Sequence, residues 1–591
     1  MCCKMDVLEE YNRWCSDPIF DEETRAELKA IADEKEIADR FYKNLTFGTG
    51  GLRGVIGAGT NRMNIYTVGK ATQGLADFIN SEAAGGSVVI AYDSRRMSSE
   101  FARRAACILA ANKIKAYLFE SLRPTPELSF AVRYLHATAG IVITASHNPP
   151  QYNGYKVYWS DGGQIVPPYD KKIIDCVNAV ADYSAVHTMP EETARGQGML
   201  VAIGKEVDDA YMAALKALVL EPDAIKKMAK AIKIVYTPLN GTGYLPVTRV
   251  LKELGFEKVW VVPEQAQPDG NFPTLKYPNP EDPAAFTLAL RLAKEVDADI
   301  VLATDPDADR LGVYAKDGAT GEYMPFTGNM SGLLIAEYEL SRREEKGLLP
   351  ADRKNGALVT TIVSSNMAFE IAAEYGLTVI EVLTGFKYIG EQIRLFEESK
   401  AANGGKLDHA KGAFEYEFGF EESYGCLVGT HARDKDAVVA VMALCEAAAY
   451  YKSLGMTLCD QMRVIYEKYG YYREALESVT IPGAEGAAKI EAIIAGLRQN
   501  VPKKIGGQNV LALRDYRAGT RTSLADGSVT QLKLPKSNVL YFELEEGGWC
   551  CVRPSGTEPK IKFYFGAKAG SMREADEKVR LLKEGLSGLT K

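Results

Sequence analysis

The segment Thr144–Pro149 has the residue types of a covalent catalytic site, because it places the hydroxyl of Ser146 beside the imidazole of His147. It follows an apolar run, Gly140–Ile143, that is typical of a buried strand. In α/β proteins, a polar turn at the end of such a strand lies at the edge of the sheet where ligands bind. A serine held there can carry a chemical group through a covalent intermediate.

Three aspartates at alternate positions, Asp305, Asp307 and Asp309, follow another apolar strand. Their carboxylates can converge on one hard divalent cation, which would also relieve their mutual repulsion. The spacing begins like a calcium-binding loop, but Arg310 and Lys316 stand where that loop needs glycine and glutamate. We therefore expect Mg²⁺ at a phosphoryl-transfer site, with the guanidinium of Arg310 on a phosphate oxygen. A solvated acidic turn is the alternative.

The segment that follows Arg553, near the end of the chain, is a candidate anion site. Successive backbone N–H groups at Ser555, Gly556 and Thr557 can form an anion-binding nest, to which Arg553 adds a positive charge. We expect it to bind a phosphate group. A surface turn rich in proline and glycine is the alternative interpretation.

Two further polar segments are weaker signals when taken alone. Glu421 and Ser423 offer a carboxylate and a hydroxyl that suit sugar hydroxyls, although an exposed acidic turn has the same composition. Arg53 lies in a glycine-rich segment, residues 48–54, that is neither a P-loop nor a dinucleotide fingerprint. That segment either reaches into a cleft or is a linker.

The chemistry of Ser146 is narrowed by what accompanies it in the chain. No G-x-S-x-G segment is present, and neighbouring side chains diverge on an extended backbone, so we do not expect His147 to act as the base of a hydrolase triad. A serine accompanied by a Mg²⁺ site and phosphate-binding segments is expected to carry a phosphoryl group instead. Lys156 is a candidate to handle the proton of the attacking hydroxyl.

Alternating strands and helices must position these segments. A strand–helix pattern occurs three times, and each repeat ends just before the Ser146, the Asp305 or the Glu421 segment. Strands that alternate with helices of about 10–15 residues indicate βαβ units. We predict three related α/β domains with mixed, largely parallel sheets, followed by a smaller C-terminal α+β domain.

The predicted domains comprise residues 1–210, which include a helical N-terminal arm, and residues 211–325, 326–455 and 456–591. Within them, residues 21–45 are predicted as one helix that Asp21 caps. The glycine-rich segment 48–54 is predicted as a loop, and Arg514–Asn538 as a polar stretch rich in loops.

The composition is that of a globular chain, and its acidic balance argues against nucleic-acid binding as the main role. Basic residues clustered in the loops of such a chain suggest small anionic ligands. The chain of 591 residues is 46% hydrophobic and 25% charged, with a net charge of -8 and an isoelectric point near 5.6. Its ten cysteines include no C-x-x-C pair. Neither a signal-peptide core nor an apolar run of about 18 residues occurs in the sequence. We expect reduced cysteines, a cytoplasmic location and no membrane partner.

Four motifs in this order resemble those of the α-D-phosphohexomutases, the phosphoglucomutase and phosphomannomutase enzymes: TASHNP, DPDADR, the E-x-S of GFEESYG, and RPSGTEPK. The resemblance covers most of the chain. GTGGLRG and the segment Phe272–Pro283 are most similar to the phosphoglucomutase-2 and phosphopentomutase branch. The resemblance implies four domains around one central cleft, each of which supplies one loop.

The resemblance also implies roles for the residues that match its motifs. Ser146 would be the phosphoserine, and Asp305, Asp307 and Asp309 would hold Mg²⁺ together with a phosphoserine oxygen. Glu421 and Ser423 would bind sugar hydroxyls. The other residues expected at the active site or on the substrate are Arg53, His147, Lys156, Arg310, Thr384, Lys387, Arg553, Ser555, Gly556 and Thr557.

The implied activity is that of a phosphoglucomutase, which interconverts glucose 1-phosphate and glucose 6-phosphate. Two transfers through the serine pass by way of glucose 1,6-bisphosphate, which is also the expected primer. Because the intermediate must turn over in the cleft, we expect the fourth domain to move. The expected partners are small-molecule sugar phosphates, and the expected state is a monomer or a weak homodimer.

Other functions remain open at this point. Tyr424-Gly425 stands where many phosphomannomutases have Gly-His, which argues against a mannose substrate. Phosphopentomutase, phosphomannomutase and hexose bisphosphate synthase activities are alternatives of the same class. A non-catalytic sensor of sugar phosphates is an alternative of another class.

Overall fold

The computed structural model describes residues 6–48, 50–82, 85–481, 484–554 and 560–589. These residues form three mixed β-sheets accompanied by helices, and one antiparallel sheet near the C-terminus. The predicted class, three related α/β domains and a smaller α+β domain, is confirmed.

The first sheet carries the Ser146 segment at the end of a buried strand. The strand Ala139–Ile143 is apolar and buried along its whole length, as expected where both faces of a sheet are covered. It runs parallel to Ser87–Tyr92 and antiparallel to Tyr152–Trp159, which places Lys156 opposite Val142. In spatial order the strands are Gly51–Val55, Tyr152–Trp159, Ala139–Ile143, Ser87–Tyr92, Lys115–Phe119 and Leu200–Ile203. The helices of this region are Ile65–Glu82, Ser98–Ala111, Thr125–Tyr134, Tyr169–Ala179, the 3₁₀ turn Tyr183–Ala185, and Glu191–Gly196.

The second sheet presents the three aspartates in the same way. The apolar strand Ile300–Thr304 is also buried along its whole length. It runs antiparallel to Leu311–Lys316, so residues 305–310 form a tight connection between neighbouring strands. In spatial order the strands are Tyr323–Phe326, Leu311–Lys316, Ile300–Thr304, Lys233–Thr237 and Lys258–Val261. The helices are Lys205–Lys216, Pro222–Met228, Tyr244–Glu253, Pro263–Ala266, the 3₁₀ turn Pro283–Phe286, and Thr287–Val296.

The third sheet ends in a hairpin that carries Glu421 and Ser423. Glu421 is the last residue of its strand, and Ser423 lies in the turn that leads to the next one. In spatial order the strands are Thr378–Val382, Gly356–Thr361, Glu415–Glu421 and Gly425–Leu427. The helices are Gly328–Glu345, the 3₁₀ turn Arg353–Asn355, Met367–Glu374, Phe386–Ala402, the 3₁₀ turn His409–Lys411, Ala437–Ser453 and Leu458–Tyr469.

The fourth sheet is antiparallel and corrects one expectation. Residues 514–538, predicted as a stretch rich in loops, include the strands Thr520–Ser523 and Val529–Gln531. Their mostly polar residues are half-buried in the first strand and exposed in the second, so no apolar alternation revealed them. In spatial order the strands are Tyr471–Thr480, Lys560–Ala569, Trp549–Pro554, Leu540–Leu544, Gln508–Asp515, Thr520–Ser523 and Val529–Gln531, and Lys504–Ile505 pairs with Gln508–Asp515. The helices are Ala484–Gln499, the 3₁₀ turn Glu545–Gly547, and Met572–Leu589.

The N-terminal arm consists of the helices Val7–Ser16, Glu22–Lys29 and Glu34–Phe41. The prediction of a single helix over residues 21–45 is therefore wrong. Asp21 caps one helix by accepting from the amide of Thr24 (2.7 Å), but Asp33 caps another by accepting from the amide of Lys35 (2.9 Å). A second N-cap inside an apolar helical pattern begins a new helix.

The glycine-rich segment is not simply a loop, as was predicted, because Gly51–Val55 is a strand at the edge of the first sheet. Gly51 has a φ of 140°, and a Cβ there would lie 1.8 Å from the carbonyl oxygen of Tyr155. Glycine is therefore needed for this strand to approach its neighbour. The pairing places Arg53 opposite Gly154.

Among the described residues, no single helix has the length and apolar composition of a membrane span. The pair Ala437–Ser453 and Leu458–Tyr469 passes that test jointly, but it is bent by 88°. Most of the side chains of both helices are buried, and they pack in the apolar core that the first three sheets share.

Replacement of Trp14 by alanine should release the N-terminal arm. Trp14 is fully buried, and its ring stacks on Phe20 with the ring centroids 4.1 Å apart. Truncating such a residue costs about 3–5 kcal/mol. We expect hydrogen exchange of residues 6–41 to become faster, while exchange in the first sheet does not change. Leu8→Ala is the control, because Leu8 is 62% exposed, and equal exchange in the two variants would contradict the prediction.

Candidate active site

Ser146 lies against the first of the three aspartates. Its hydroxyl donates to Oδ2 of Asp305 (2.8 Å), although the two residues belong to different sheets. The side chain is buried, with 4% of the residue exposed. Ser146 has a φ of 50°, and its amide donates to Oγ1 of Thr144 (2.8 Å). The loop therefore holds a serine in a left-handed conformation that costs on the order of 1–3 kcal/mol.

The imidazole of His147 lies close to the hydroxyl of Ser146, although neighbouring side chains were expected to diverge. Nδ1 of His147 is 3.3 Å from Oγ of Ser146, so the expectation that the two side chains diverge is wrong. It assumed an extended backbone, whereas Ser146 is left-handed. Burial, reinforced by the charges of Arg310 and Arg53, holds the pKa of His147 well below its usual value. The imidazole is therefore neutral at pH 7.

The three aspartates converge as a metal site requires. Asp305, Asp307 and Asp309 are buried, and one carboxylate oxygen of each lies within 4.8 Å of those of the other two. Oδ1 of Asp305 accepts from the amides of Asp309 and Arg310 (3.1 Å each). Oδ1 of Asp307 and Oδ1 of Asp309 are buried and accept no hydrogen bond from the described residues. Oxygens left in this way fit a hard divalent cation.

Two lysines from outside the second sheet face the aspartates: Lys156 lies on a strand of the first sheet, and Lys435 follows the third sheet. Nζ of Lys156 is 2.8 Å from Oδ2 of Asp307 and 3.5 Å from Oδ2 of Asp309. Nζ of Lys435 is 2.9 Å from Oδ2 of Asp309. Burial alone would lower the pKa of each lysine, but the aspartates raise the pKa of both. Both side chains are therefore ammonium groups that offset the buried negative charge.

The pKa values of Asp305 and Asp307 are shifted in opposite directions. Burial, together with the charges of Asp309 and Asp307, raises the pKa of Asp305 well above its usual value. Burial acts on Asp307 in the same direction, but the ammonium of Lys156 overrides it and lowers the pKa of Asp307. Asp305 therefore needs a further positive charge more than Asp307 does.

A hydroxyl from the first domain region also supports the triad. Oγ1 of Thr125 donates to Oδ2 of Asp307 (2.9 Å), and the amide of Thr125 donates to the carbonyl of the same aspartate (2.9 Å). Thr125 is fully buried at the start of its helix. Because Thr125 and Lys156 both bind Oδ2, the unpartnered Oδ1 of Asp307 is left for a metal ion.

The predicted arginines approach the same centre. The guanidinium of Arg310 forms an ion pair with Glu281 and lies 3.9 Å from Asp309. These carboxylates raise the pKa of Arg310 although burial opposes the shift. Nη1 of Arg53 donates to the side chain of Asn148 (3.3 Å), which lies in the Ser146 loop.

Glu421 faces the centre from the third sheet. Burial raises its pKa, against the charges of Lys435 and Arg310. Thr384 and Lys387 lie on either side of Gly385, at the start of the helix Phe386–Ala402. Burial lowers the pKa of Lys387.

Arg553 lies in the fourth sheet, near the end of the strand Trp549–Pro554. It is paired there with Lys562 of the neighbouring strand. Burial and the charge of Arg553 lower the pKa of Lys562. Ser555, Gly556 and Thr557, predicted to bind phosphate, lie outside the described residues.

Comparison with known proteins identifies the family. Sequence descriptions of the phosphoglucomutase/phosphomannomutase alpha/beta/alpha domains I, II and III match residues 44–184, 209–318 and 327–469, and that of the C-terminal domain matches residues 498–584. The chain belongs to the phosphoglucomutase/phosphomannomutase family. The resemblance drawn from the motifs is therefore confirmed, whereas the predicted domain boundaries stay predictions.

Family members of similar length are known in sequence and structure. The chain is 37% identical over 553 residues to a phosphoglucomutase of Staphylococcus epidermidis, covering 94% of this chain and 96% of that protein. A phosphoglucomutase of Staphylococcus aureus is 37% identical over 547 residues, covering 93% and 94% of the two chains. The open form of the Paramecium phosphoglucomutase pp63/parafusin shares the fold, with a TM-score of 0.65, 17% identity, and coverage of 93% and 95%. A phosphoglucomutase/phosphomannomutase family protein from Burkholderia thailandensis does so with a TM-score of 0.62, 20% identity, and coverage of 93% and 98%.

Thr125 and Lys435 were not among the residues proposed from the sequence of this phosphohexomutase. Thr125 precedes a proline at the start of a helix, and Lys435 stands between two aspartates just before an apolar helix. Each signal is typical of an ordinary helix start. Polar residues in front of a buried helix could have marked both positions, but not their convergence on one triad.

Replacement of Thr125 by valine should weaken metal binding by this family member. The change removes the hydroxyl that orients Asp307, and loss of such an outer contact typically costs about 10- to 100-fold in metal affinity. Isothermal titration with Mg²⁺ would measure the loss without a substrate.

Thr72→Val is the matched control. Thr72 is fully buried, and its hydroxyl donates to the carbonyl of Val68 (2.8 Å), away from the triad. The same Mg²⁺ affinity in the two variants would exclude a supporting role for Thr125.

Proposed function

We propose that the chain is a Mg²⁺-dependent phosphoglucomutase that interconverts glucose 1-phosphate and glucose 6-phosphate. The observation that carries this proposal is the 2.8 Å contact between the hydroxyl of Ser146 and Asp305, within a buried group of three aspartates. The relatives named phosphoglucomutase, which match almost the whole chain, support glucose as the sugar.

In the proposed reaction, phosphorylated Ser146 gives its phosphoryl group to the 6-hydroxyl of glucose 1-phosphate. The sugar oxygen forms a bond to phosphorus, the bond from phosphorus to Oγ of Ser146 breaks, and the proton of the sugar hydroxyl is passed on so that Oγ becomes a hydroxyl. Glucose 1,6-bisphosphate then turns in the site. The reverse sequence moves its 1-phosphate to Ser146 and leaves glucose 6-phosphate.

Asp305, Asp307 and Asp309 are the residues that would hold Mg²⁺. When bound there, the ion would neutralise negative charge on the group in transfer. Their unpartnered oxygens support this assignment. We propose added glucose 1,6-bisphosphate as the primer that first phosphorylates Ser146.

Lys156 is proposed to carry the proton between the sugar hydroxyl and the serine. It lies on a strand beside the Ser146 loop, and its ammonium form is favoured by Asp307 and Asp309. A lysine held in this form can return a proton to Oγ of Ser146 as the phosphoryl group leaves. The neutral imidazole of His147, 3.3 Å from that oxygen, is proposed to orient the hydroxyl.

The remaining residues are proposed to bind the substrate. Arg53 and Arg310 would contact the transferring phosphate, while Thr384, Lys387, Glu421 and Ser423 would contact the sugar. Arg553, Ser555, Gly556 and Thr557 would hold the phosphate that does not react. A single distal grip of this kind can serve both orientations of the bisphosphate, because it recognises charge rather than the sugar.

We further propose that the protein works as a monomer or weak homodimer in the cytoplasm. The eight described cysteines are free, and the neighbours Cys550 and Cys551 are both buried. Reduced cysteines of this kind are typical of a reducing compartment.

Replacement of Ser146 by alanine should abolish the mutase activity and leave the fold intact. The change removes the oxygen that would carry the phosphoryl group. The measurement is the conversion of glucose 1-phosphate with Mg²⁺ and primer, together with the intact mass of the wild-type protein, which should include one added phosphate on Ser146.

Ser129→Ala is the control, because Ser129 is a fully buried serine whose hydroxyl donates to the carbonyl of Gly162 (2.6 Å). It should remain active. Conversion by Ser146→Ala at the wild-type rate would refute the carrier role, and a wild-type protein that neither takes up phosphate nor turns over would favour a non-catalytic sensor.

A substrate panel should place glucose 1-phosphate first. We expect kcat/KM to be at least about tenfold higher for glucose 1-phosphate than for mannose 1-phosphate or ribose 1-phosphate, which is a difference of about 1.4 kcal/mol in transition-state binding. A higher value for ribose 1-phosphate would identify a phosphopentomutase, and one for mannose 1-phosphate a phosphomannomutase. Net accumulation of the bisphosphate would identify a synthase.

A further inference from the structure

Arg95 donates hydrogen bonds to several backbone carbonyls of the loop that carries Ser146. Its Nη2 donates to the carbonyls of Ser146 (2.6 Å) and Asn148, and its Nη1 donates to those of Pro149 (2.9 Å) and Tyr152 (3.1 Å). The side chain is fully buried. One guanidinium thus ties together four carbonyls that lie within seven residues of the chain.

This arrangement suits the planar fork of a guanidinium. Its N–H groups point in fixed directions, whereas an ammonium offers a single centre on a flexible stem. A loop whose carbonyls all turn towards Arg95 has little freedom to rotate its peptide units. With the loop held in this way, the hydroxyl of Ser146 faces Asp305, to which it donates.

Arg95 is itself held in place by the first sheet. Nε lies 3.4 Å from Oδ2 of Asp93, and the amide of Arg95 donates to Oδ1 of the same carboxylate (2.9 Å). The hydroxyl of Ser98 also donates to that oxygen (2.7 Å), and the amide of Asp93 donates to the carbonyl of Ile143, on the strand that precedes the loop. These contacts therefore fix the position of the guanidinium relative to the first sheet.

A segment beside the second sheet also packs against the guanidinium of Arg95. The ring of Phe272 lies 5.1 Å from Cζ of Arg95 and is 1% exposed. Gly270 approaches so closely that a Cβ there would be 2.5 Å from the amide nitrogen of Arg96. Phe272 has a φ of 46°, a conformation that a bulky residue adopts only when its surroundings hold it.

We propose that Arg95 is a positioning residue that fixes the Ser146 loop in its reactive conformation, and that Phe272 sets the position of this clamp relative to the sheet that carries the aspartates. The proposal rests on the proposed role of Ser146 as the phosphoryl carrier. Arg95 itself contacts neither the aspartates nor the side chain of Ser146 in the described structure, so its effect passes through the loop.

The test compares Arg95→Lys with Arg62→Lys. Arg62 is a buried arginine of the same region, which donates to the carbonyl of Asn61 (3.1 Å) and to Asp39 (2.6 Å) against the N-terminal arm. Lysine keeps the charge in both cases and removes the fork. Each variant would be assayed for kcat, KM, Mg²⁺ affinity and melting temperature, and for hydrogen exchange in residues 144–152.

We expect Arg95→Lys to lower kcat by about 10- to 100-fold, as misplacement of a reacting group does, while KM and Mg²⁺ affinity stay within about twofold. Exchange in residues 144–152 should become faster. Arg62→Lys should lose some thermal stability but keep kcat. A kcat loss no larger in Arg95→Lys than in Arg62→Lys, or a loss that appears in KM or Mg²⁺ affinity instead, would overturn the proposal.

Phe272→Leu provides a second variant in case Arg95→Lys does not fold. Leucine keeps the apolar contact and removes the ring from the guanidinium. We expect faster exchange in residues 144–152 and a lower kcat with KM unchanged. Wild-type exchange and kcat would overturn the role of Phe272 and, where Arg95→Lys does not fold, the whole proposal. A wild-type protein without mutase activity would instead refute the proposed function, and the exchange data would still decide whether Arg95 holds the loop.

Discussion

Repulsion among three buried carboxylates is the constraint on which the arrangement of the domains depends. Asp305, Asp307 and Asp309 lie on one short connection of the second sheet, where burial makes each negative charge costly. The compensating ammonium groups come from elsewhere, because Lys156 belongs to the first sheet and Lys435 follows the third. The second sheet therefore cannot bury this triad at low cost unless the other two pack against it. The charge balance at the site and the packing of the three domains therefore depend on each other.

The segment that leads to Lys435 shows how that packing is made specific. Asp434 accepts from the hydroxyl of Tyr158 in the first sheet (2.7 Å). Asp436 caps the helix Ala437–Ser453 and also accepts from the hydroxyl of Tyr211 (2.8 Å). Each of these contacts buries a polar group that would be costly without its partner, so a displacement of the segment would leave several groups unsatisfied at once. The position of Lys435 is thus determined by its two neighbours as well as by Asp309.

Local sequence patterns predicted much of the fold. The functional residues that were missed depend on contacts between distant parts of the chain. The apolar runs around Ile143 and Ile300 are buried strands, and the polar segments after them converge as the resemblance implied. Asp33 was missed because its cap lies inside a continuous apolar pattern. Arg95, Thr125 and Lys435 gave no signal of function, since each acts through atoms more than fifty residues away in sequence. Residue type and spacing reveal chemistry that one segment can do, but not which segments meet.

The proposed transfer centre at Ser146 and the proposed phosphate site at Arg553 differ in the burial of the ion pairs around them. The ion pairs of Lys156 and Lys435 with the aspartates leave at most 12% of any participating side chain exposed. Ion pairs that join the fourth sheet to the third are more open: Arg514 and Glu381 are 23% and 27% exposed, and Lys568 and Glu370 are 36% and 45% exposed. Such partly exposed ion pairs contribute little free energy to the association of the domains. The apolar contacts beside them are not directional. In the proposed reaction, Arg553 would hold a phosphate from a domain that such pairs join to the third sheet, whereas Ser146 and the triad are joined by buried contacts. The proposed turn of the bisphosphate would need this combination of a rigid centre for the transfer and a less rigid contact with the phosphate that does not react.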